Sequence, residues 1–197
     1  MGELLEKIYG VLFQPSTTLR DICRQKPLQQ SIIVLIFITF LTTWTGYFTV
    51  LGNSAFLFGI LMVTLVMWFS SSAIAHLAAE LLGGSGQAKG LLAANGFIQI
   101  PRIFTVPVLV IVLYLPISLR NLLLIIVGLG LFIWEVILGI IAIRECYGFS
   151  TGKAILTLVA PYAVIVLPLI AFAMIAAAVM IKITSMLGSD MFPLFMQ

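Results

Sequence analysis

The sequence predicts an all-α integral membrane protein with five transmembrane helices, a cytosolic N-terminus and an external C-terminus, preceded by short interfacial amphipathic helices. Composition carries the class. Of 197 residues 62% are hydrophobic and only 9% charged, against about 25% charged in a soluble domain, and the mean hydropathy is +1.22. Five long apolar stretches carry the architecture, each near the roughly 20 residues that a helix needs to cross a bilayer. A β-barrel is excluded, because runs such as Ser31 to Ile38 do not alternate in polarity. The ten Lys and Arg residues are scattered without a basic run, so a soluble enzyme or a nucleic-acid binder is not expected.

The first 30 residues form a cytosolic, interfacial segment. Leu4, Leu5, Ile8, Val11 and Leu12 recur at helical spacing beside Glu3, Glu6 and Lys7, which suits a helix lying on the membrane surface. After Pro15, a second short helix carries Leu19, Arg20 and Ile22, with Ser16 or Thr17 as its cap and Pro27 as its end. No cleavable leader is expected, since Glu3 and Glu6 open the chain and apolar sequence starts near Ser31.

The membrane domain is expected over residues 31–183, and an external tail over 184–197. Its spans are read as Ser31 to Leu51, Ala55 to Ala79, Ile103 to Leu119, Leu122 to Ile143 and Ala154 to Ile181. Between the second and third, Leu82-Gly83-Gly84-Ser85-Gly86 marks a sharp turn. Orientation follows the flanking cations. Lys7, Arg20, Arg24, Lys26, Lys89, Arg102, Arg144 and Lys153 fall on one side, and only Arg120 and Lys182 on the other. Cys23 and Cys146 then both lie on the cytosolic side, where thiols stay reduced, and no disulfide is expected.

Glu135 is the one formal charge inside the five stretches. It sits about eight residues from the cytosolic end, roughly 12 Å deep at 1.5 Å per residue. Gly128, Gly139 and Ala142 share its face and allow close helix approach. On the second span Ser72, His76 and Glu80 form an i, i+4, i+8 polar stripe beside the small residues Ser71, Ala75 and Ala79. His76 and Glu135 then fall at similar depth. They either hydrogen-bond each other, or pair with Arg102, to lock two helices together, or they line a proton or cation path. His76, Glu80 and Glu135 are too few for a zinc site without a Cys or second His, so no metal and no cofactor is expected. Pro101, Pro107, Pro116, Pro161 and Pro168 kink their helices, and Ala173, Ala176 and Ala177 read as a helix-packing face; a homo-oligomer is left open. With one His and no Gly-x-Ser-x-Gly, His-Glu-x-x-His or phosphate-binding loop, catalysis has no signature.

Several short segments stand in a recognisable order: Leu12-Phe13-Gln14-Pro15, His76 through Gly83-Gly84, Gly96-Phe97-Ile98-Gln99-Ile100-Pro101, and Trp134 through Gly148-Phe149-Ser150-Thr151-Gly152-Lys153. This order resembles the Ypt-interacting-protein (YIP) domain family over about residues 10–180. Eukaryotic members carry a Leu-Tyr-Gly-Pro type motif before the first span and Gly-Tyr-x-x-x-Pro at the third; here Phe13 and Phe97 replace the tyrosines and Gln14 the glycine. The resemblance implies a polytopic membrane protein, in eukaryotes associated with small Rab-type GTPases and vesicle traffic. The short N-terminal segment looks more like prokaryotic members, and so implies a cell membrane. On this reading the chain is a non-enzymatic adaptor or organiser that binds a protein partner or lipids at its cytosolic face. The other reading is a small transporter or channel lined by Ser72, His76, Glu80 and Glu135.

Overall fold

A computed structural model describes residues 2–50 and 54–191, and all regular structure among them is helical. The elements are α1 (Gly2–Phe13), α2 (Pro15–Gln25), α3 (Leu28–Val50), α4 (Ser54–Leu81), α5 (Ala88–Phe97), a 3-10 turn (Ile100–Phe104), α6 (Thr105–Val112), α7 (Ile117–Tyr147) and α8 (Thr151–Met191). Four segments are long and apolar enough to cross a membrane: Phe58–Leu81, Ala88–Val112, Ile117–Tyr147 and Thr151–Met180. A shorter apolar helix covers Leu28–Trp44. The chain divides into two units, Met1–Pro161 and Tyr162–Gln197, the second holding the greater part of α8.

Local chemistry sets the ends of the short helices. Pro15 opens α2 at its first turn, where a missing N–H costs nothing. Gln14, not Ser16 or Thr17, stands at the cap, and the Thr17 hydroxyl donates to the Gln14 carbonyl at 3.1 Å. The expected cap is therefore displaced by the proline. Lys26 closes α2 in the left-handed region (φ 53°), its N–H bonded to the Ile22 carbonyl at 2.8 Å, and Pro27 follows. Gly148 ends α7 in the same region, at φ 67°.

The third apolar stretch differs from the expected Ile103 to Leu119. Its first ten residues join α5 and the 3-10 turn upstream, whereas Ile117, Ser118 and Leu119 already belong to α7. Pro116 explains the break: its ring disfavours helical backbone at Leu115 and it lacks a donor. Tyr114 and Leu115 instead donate to Ile111 and Val112 in tight turns, and Arg120 Nε caps the Val112 carbonyl at 3.1 Å.

Within the first unit, side chains from α1, α2, α3, α5, the 3-10 turn and α7 share one core. Val11, Leu19, Ile22, Ala94 and Phe97 in it are wholly buried. A second core joins Ala75 and Ala79 of α4 to Leu91, Ile143, Tyr147, Phe149 and Ala154. This densely packed part is termed the head. Helix α7 passes out of it at a definite place. Its Leu138, Gly139, Ala142, Ile143 and Tyr147 are buried, whereas Leu122, Ile125, Ile126, Leu129, Phe132 and Ile133 are exposed. The exposed apolar half is the surface that lipid covers.

The head also holds a covalent tie. Cys23 of α2 and Cys146 of α7 form a disulfide, with Cα atoms 5.3 Å apart. The expectation of two separate reduced thiols is overturned. Leu19 and Ile22 are buried in the same core as Leu138 and Ala142, so packing α2 on α7 brings the cysteines together across 123 residues of sequence.

Candidate functional site

The polar residues singled out in the sequence separate into two groups. Arg102 lies in the 3-10 turn opened by Ile100 and Pro101. From there its guanidinium reaches α7 and grips Glu135 with two bonds, Nε to Oε1 at 2.6 Å and Nη2 to Oε2 at 2.9 Å. Both carboxylate oxygens are engaged by one planar fork, the strong geometry for such a pair. The Glu135 side chain is 14% exposed and that of Arg102 48%. Beside the pair, the rings of Phe104 and Trp134 stack at 5.9 Å.

His76 goes elsewhere. Its Nδ1 lies 2.7 Å from the Tyr147 hydroxyl and its Nε2 3.3 Å from Glu80 Oε1. One turn earlier on α4, Ser72 donates to the Trp68 carbonyl and accepts from Asn95 Nδ2, both at 2.7 Å. The stripe Ser72, His76, Glu80 thus knits α4 to α5 and to the end of α7. Of the arrangements open from the sequence, Glu135 takes Arg102 and not His76 as partner. Among the described residues, no three of His, Cys, Asp and Glu gather to hold a metal ion.

A third network fastens α2 to α7. Glu145, whose side chain is 8% exposed, accepts from Arg20 Nη2 at 2.7 Å and from Arg144 Nη2 at 2.9 Å, and Arg144 also reaches the Ser16 hydroxyl at 3.4 Å. Lys26 is bonded to Gln87 at the start of α5. Lys153 donates to the Leu82 carbonyl at 3.0 Å and lies over the Phe149 ring.

Several of the motif residues are buried in helix packing. Phe97 is 0% exposed and Pro101 is buried, so neither presents a surface to a partner. Gly96 is held against α3: a Cβ there would overlap the Ser31 hydroxyl, which itself donates to the Ala93 carbonyl at 2.8 Å. Gly84 admits Tyr147 and Phe149, whose ring carbons would stand 2.8 and 2.7 Å from a Cβ. Gly83 instead supplies a turn, at φ 81°. Leu12 and Pro15 are half-buried, while Phe13 is 66% exposed. Gly139 packs on Leu158, but Gly128 has nothing near it, and Ala173, Ala176 and Ala177 are exposed.

Tyr147, Asn95 and Glu145 were not foreseen. Each meets its partner from a different helix, so no spacing along the chain announces it. The family model described as the Yip1 domain matches residues 9–173. No curated protein and no solved structure matches the chain.

Proposed function

The chain belongs to the Yip1 domain family, and on that premise we propose that it is a non-enzymatic multi-pass membrane adaptor whose folded head holds protein partners or lipids beside the bilayer. One observation carries this reading: the one carboxylate expected within the spans is tied off by Arg102, while charged groups stand exposed on the head. Asp21 and Arg24 on α2 and Lys89 on α5 are exposed, and the position of Gly90 against the Cys23 backbone brings these two helix ends together.

Helix α3 serves as a fifth span beside the four long ones. Its 23 residues reach about 34 Å at 1.5 Å each, enough for a hydrocarbon core of about 30 Å. With five spans, the cation asymmetry favours a cytosolic head and an external C-terminus, against the Cys23–Cys146 disulfide, a bond that a reducing cytosol disfavours. A transport path finds less support, because His76 and Glu135 bond to different partners and do not converge.

The test is crosslinking in the native membrane followed by affinity purification and mass spectrometry, comparing the wild type with an Arg24→Glu, Lys89→Glu variant. A stoichiometric partner that is lost in the variant supports the adaptor. If the same proteins co-purify with both, or none does, the head is not the docking face.

A further inference from the structure

Helix α1 has two apolar faces, and only one of them is used by the protein. Leu4, Ile8, Val11 and Leu12 pack into the head core. At 100° per residue, Leu5, Tyr9 and Phe13 form a separate adjoining stripe at i, i+4 and i+8. They are 65%, 62% and 66% exposed, and the rings of Tyr9 and Phe13 lie 4.6 Å apart. Glu6 borders the stripe at Phe13, and Glu3 lies further round, bonded at 2.7 Å to the buried Lys7. A 12-residue helix thus shows protein on one side, bare apolar surface next to it, and acids beyond.

The height of the membrane surface follows from α7. Its 31 residues measure about 46 Å, well beyond a hydrocarbon core of about 30 Å. The stretch from Ile117 to Ile133 is 17 residues, or about 26 Å, and the exposed large apolar residues of α7 fall there, Ile137 excepted. At its upper limit stand the Phe104–Trp134 stack and the half-exposed Arg102, the residue types that gather at the edge of the hydrocarbon. Helix α1 lies against the 3-10 turn that carries Arg102 and Phe104. Lys7 Nζ also donates to Gln30 Oε1 at 2.9 Å, beside the α3 turn where the exposed Ile32 and Ile33 begin.

We propose that the bilayer surface itself covers the Leu5–Tyr9–Phe13 stripe, so that α1 is a lipid-seated collar joining the head to the membrane. Continuity decides for lipid over a second protein: the helix that carries the stripe lies against the 3-10 turn, whose exposed Phe104 and half-exposed Arg102 stand at the edge of the hydrocarbon. An amphipathic helix at that level sinks its apolar face among the acyl-chain ends and leaves its acids in water. The inference rests on the membrane assignment of α7 and α3. It does not need a partner protein, so the absence of one leaves it standing.

The experiment places a spin label at Tyr9→Cys, Phe13→Cys or, as control, Glu3→Cys, about 120° round the helix from Tyr9. It uses the oxidised full-length chain, whose own cysteines are joined to each other, in single-copy phosphatidylcholine–phosphatidylglycerol nanodiscs. Positions 9 and 13 should collide with oxygen, which concentrates in lipid, several-fold more often than with a water-soluble nickel chelate, and position 3 should show the reverse. Chelate access at 9 and 13 equal to that at 3 overturns the proposal. So does a label shielded from both reagents, since protein then covers the stripe. A thermal melt matching that of the wild type certifies each labelled chain as folded, and a second set at Leu5→Cys repeats the reading with a smaller side chain removed.

Discussion

Arg102 and Glu135 meet as a two-pronged pair between the 3-10 turn and α7, at 2.6 and 2.9 Å. Removing one partner leaves the other's charge poorly solvated. Glu135→Gln should therefore lower the thermal midpoint of the detergent-purified protein. A loss of about 1–3 kcal/mol is expected, below the full value for a buried pair because Arg102 is half in the open. The double variant with Arg102→Gln should lose less than the two single losses combined, and strict additivity would show that the pair does not act as a unit.

Gly96 and Gly128 make a matched comparison. Ala in place of Gly normally favours a helix by about 1 kcal/mol. At Gly96 the new methyl meets the Ser31 hydroxyl and comes within 2.9 Å of the Ser31 carbonyl, so Gly96→Ala should destabilise by about 1–3 kcal/mol. Nothing lies within 4 Å at Gly128, and Gly128→Ala should be neutral or better. Equal thermal midpoints for the two variants would refute the close approach of α5 to α3.

The disulfide gives a redox-dependent stability. Cys23 and Cys146 close a loop of 123 residues, and a native cross-link of this kind contributes about 2–4 kcal/mol. A dithiol reductant should lower the melting temperature of the wild type and leave that of a Cys23→Ser variant unchanged. Mass spectrometry after alkylation of the unfolded protein should find neither cysteine modified before reduction and both after it.

Tyr147 holds His76 by its hydroxyl at 2.7 Å. Tyr147→Phe keeps the ring between Gly84 and Phe149 and removes only that bond, at a cost of about 1 kcal/mol. A denaturant titration that found a loss as large as for Tyr147→Ala would show that the hydroxyl carries the whole contribution and the ring packing none.

Acid should loosen α1. The hydrogen bond from Lys7, with its positive charge, holds the Glu3 carboxyl below its ordinary value of 4.5. The folded value being the lower one, the stabilisation is complete above the unfolded value and disappears as pH falls through the depressed folded value. Hydrogen exchange of α1 amides, corrected for the intrinsic pH dependence, should lose protection in that acid window, and a Glu3→Gln variant should show no such step.

Hydropathy made the helical membrane class legible, and the charge of Arg102 and Glu135 made their pairing one of the foreseeable outcomes. What could not be read was anything decided by which helices touch. Phe97 stands in one of the segments that carry the family resemblance, between Gly96 and Pro101; it is wholly buried, because Gly96 lets α5 close on Ser31. Cys23 and Cys146 looked unrelated, since nothing in either's neighbourhood encodes that α2 lies on α7. The break at Pro116 was visible as a proline, but apolar residues on both sides masked it as one continuous span. On α1, composition showed an amphipathic helix, whereas the division of its apolar arc into a packed and an exposed part required the head to be assembled.

The short link at Pro116 bears on how the protein is made. Only residues 113–116 separate α6 from α7, and even fully extended they carry the chain roughly 18 Å from Val112 to Ile117. A nascent α7 cannot travel across the membrane apart from α6. The two therefore stay neighbours in the membrane, and at their turn Arg120 supplies the Val112 carbonyl with a donor in place of the one that Pro116 lacks.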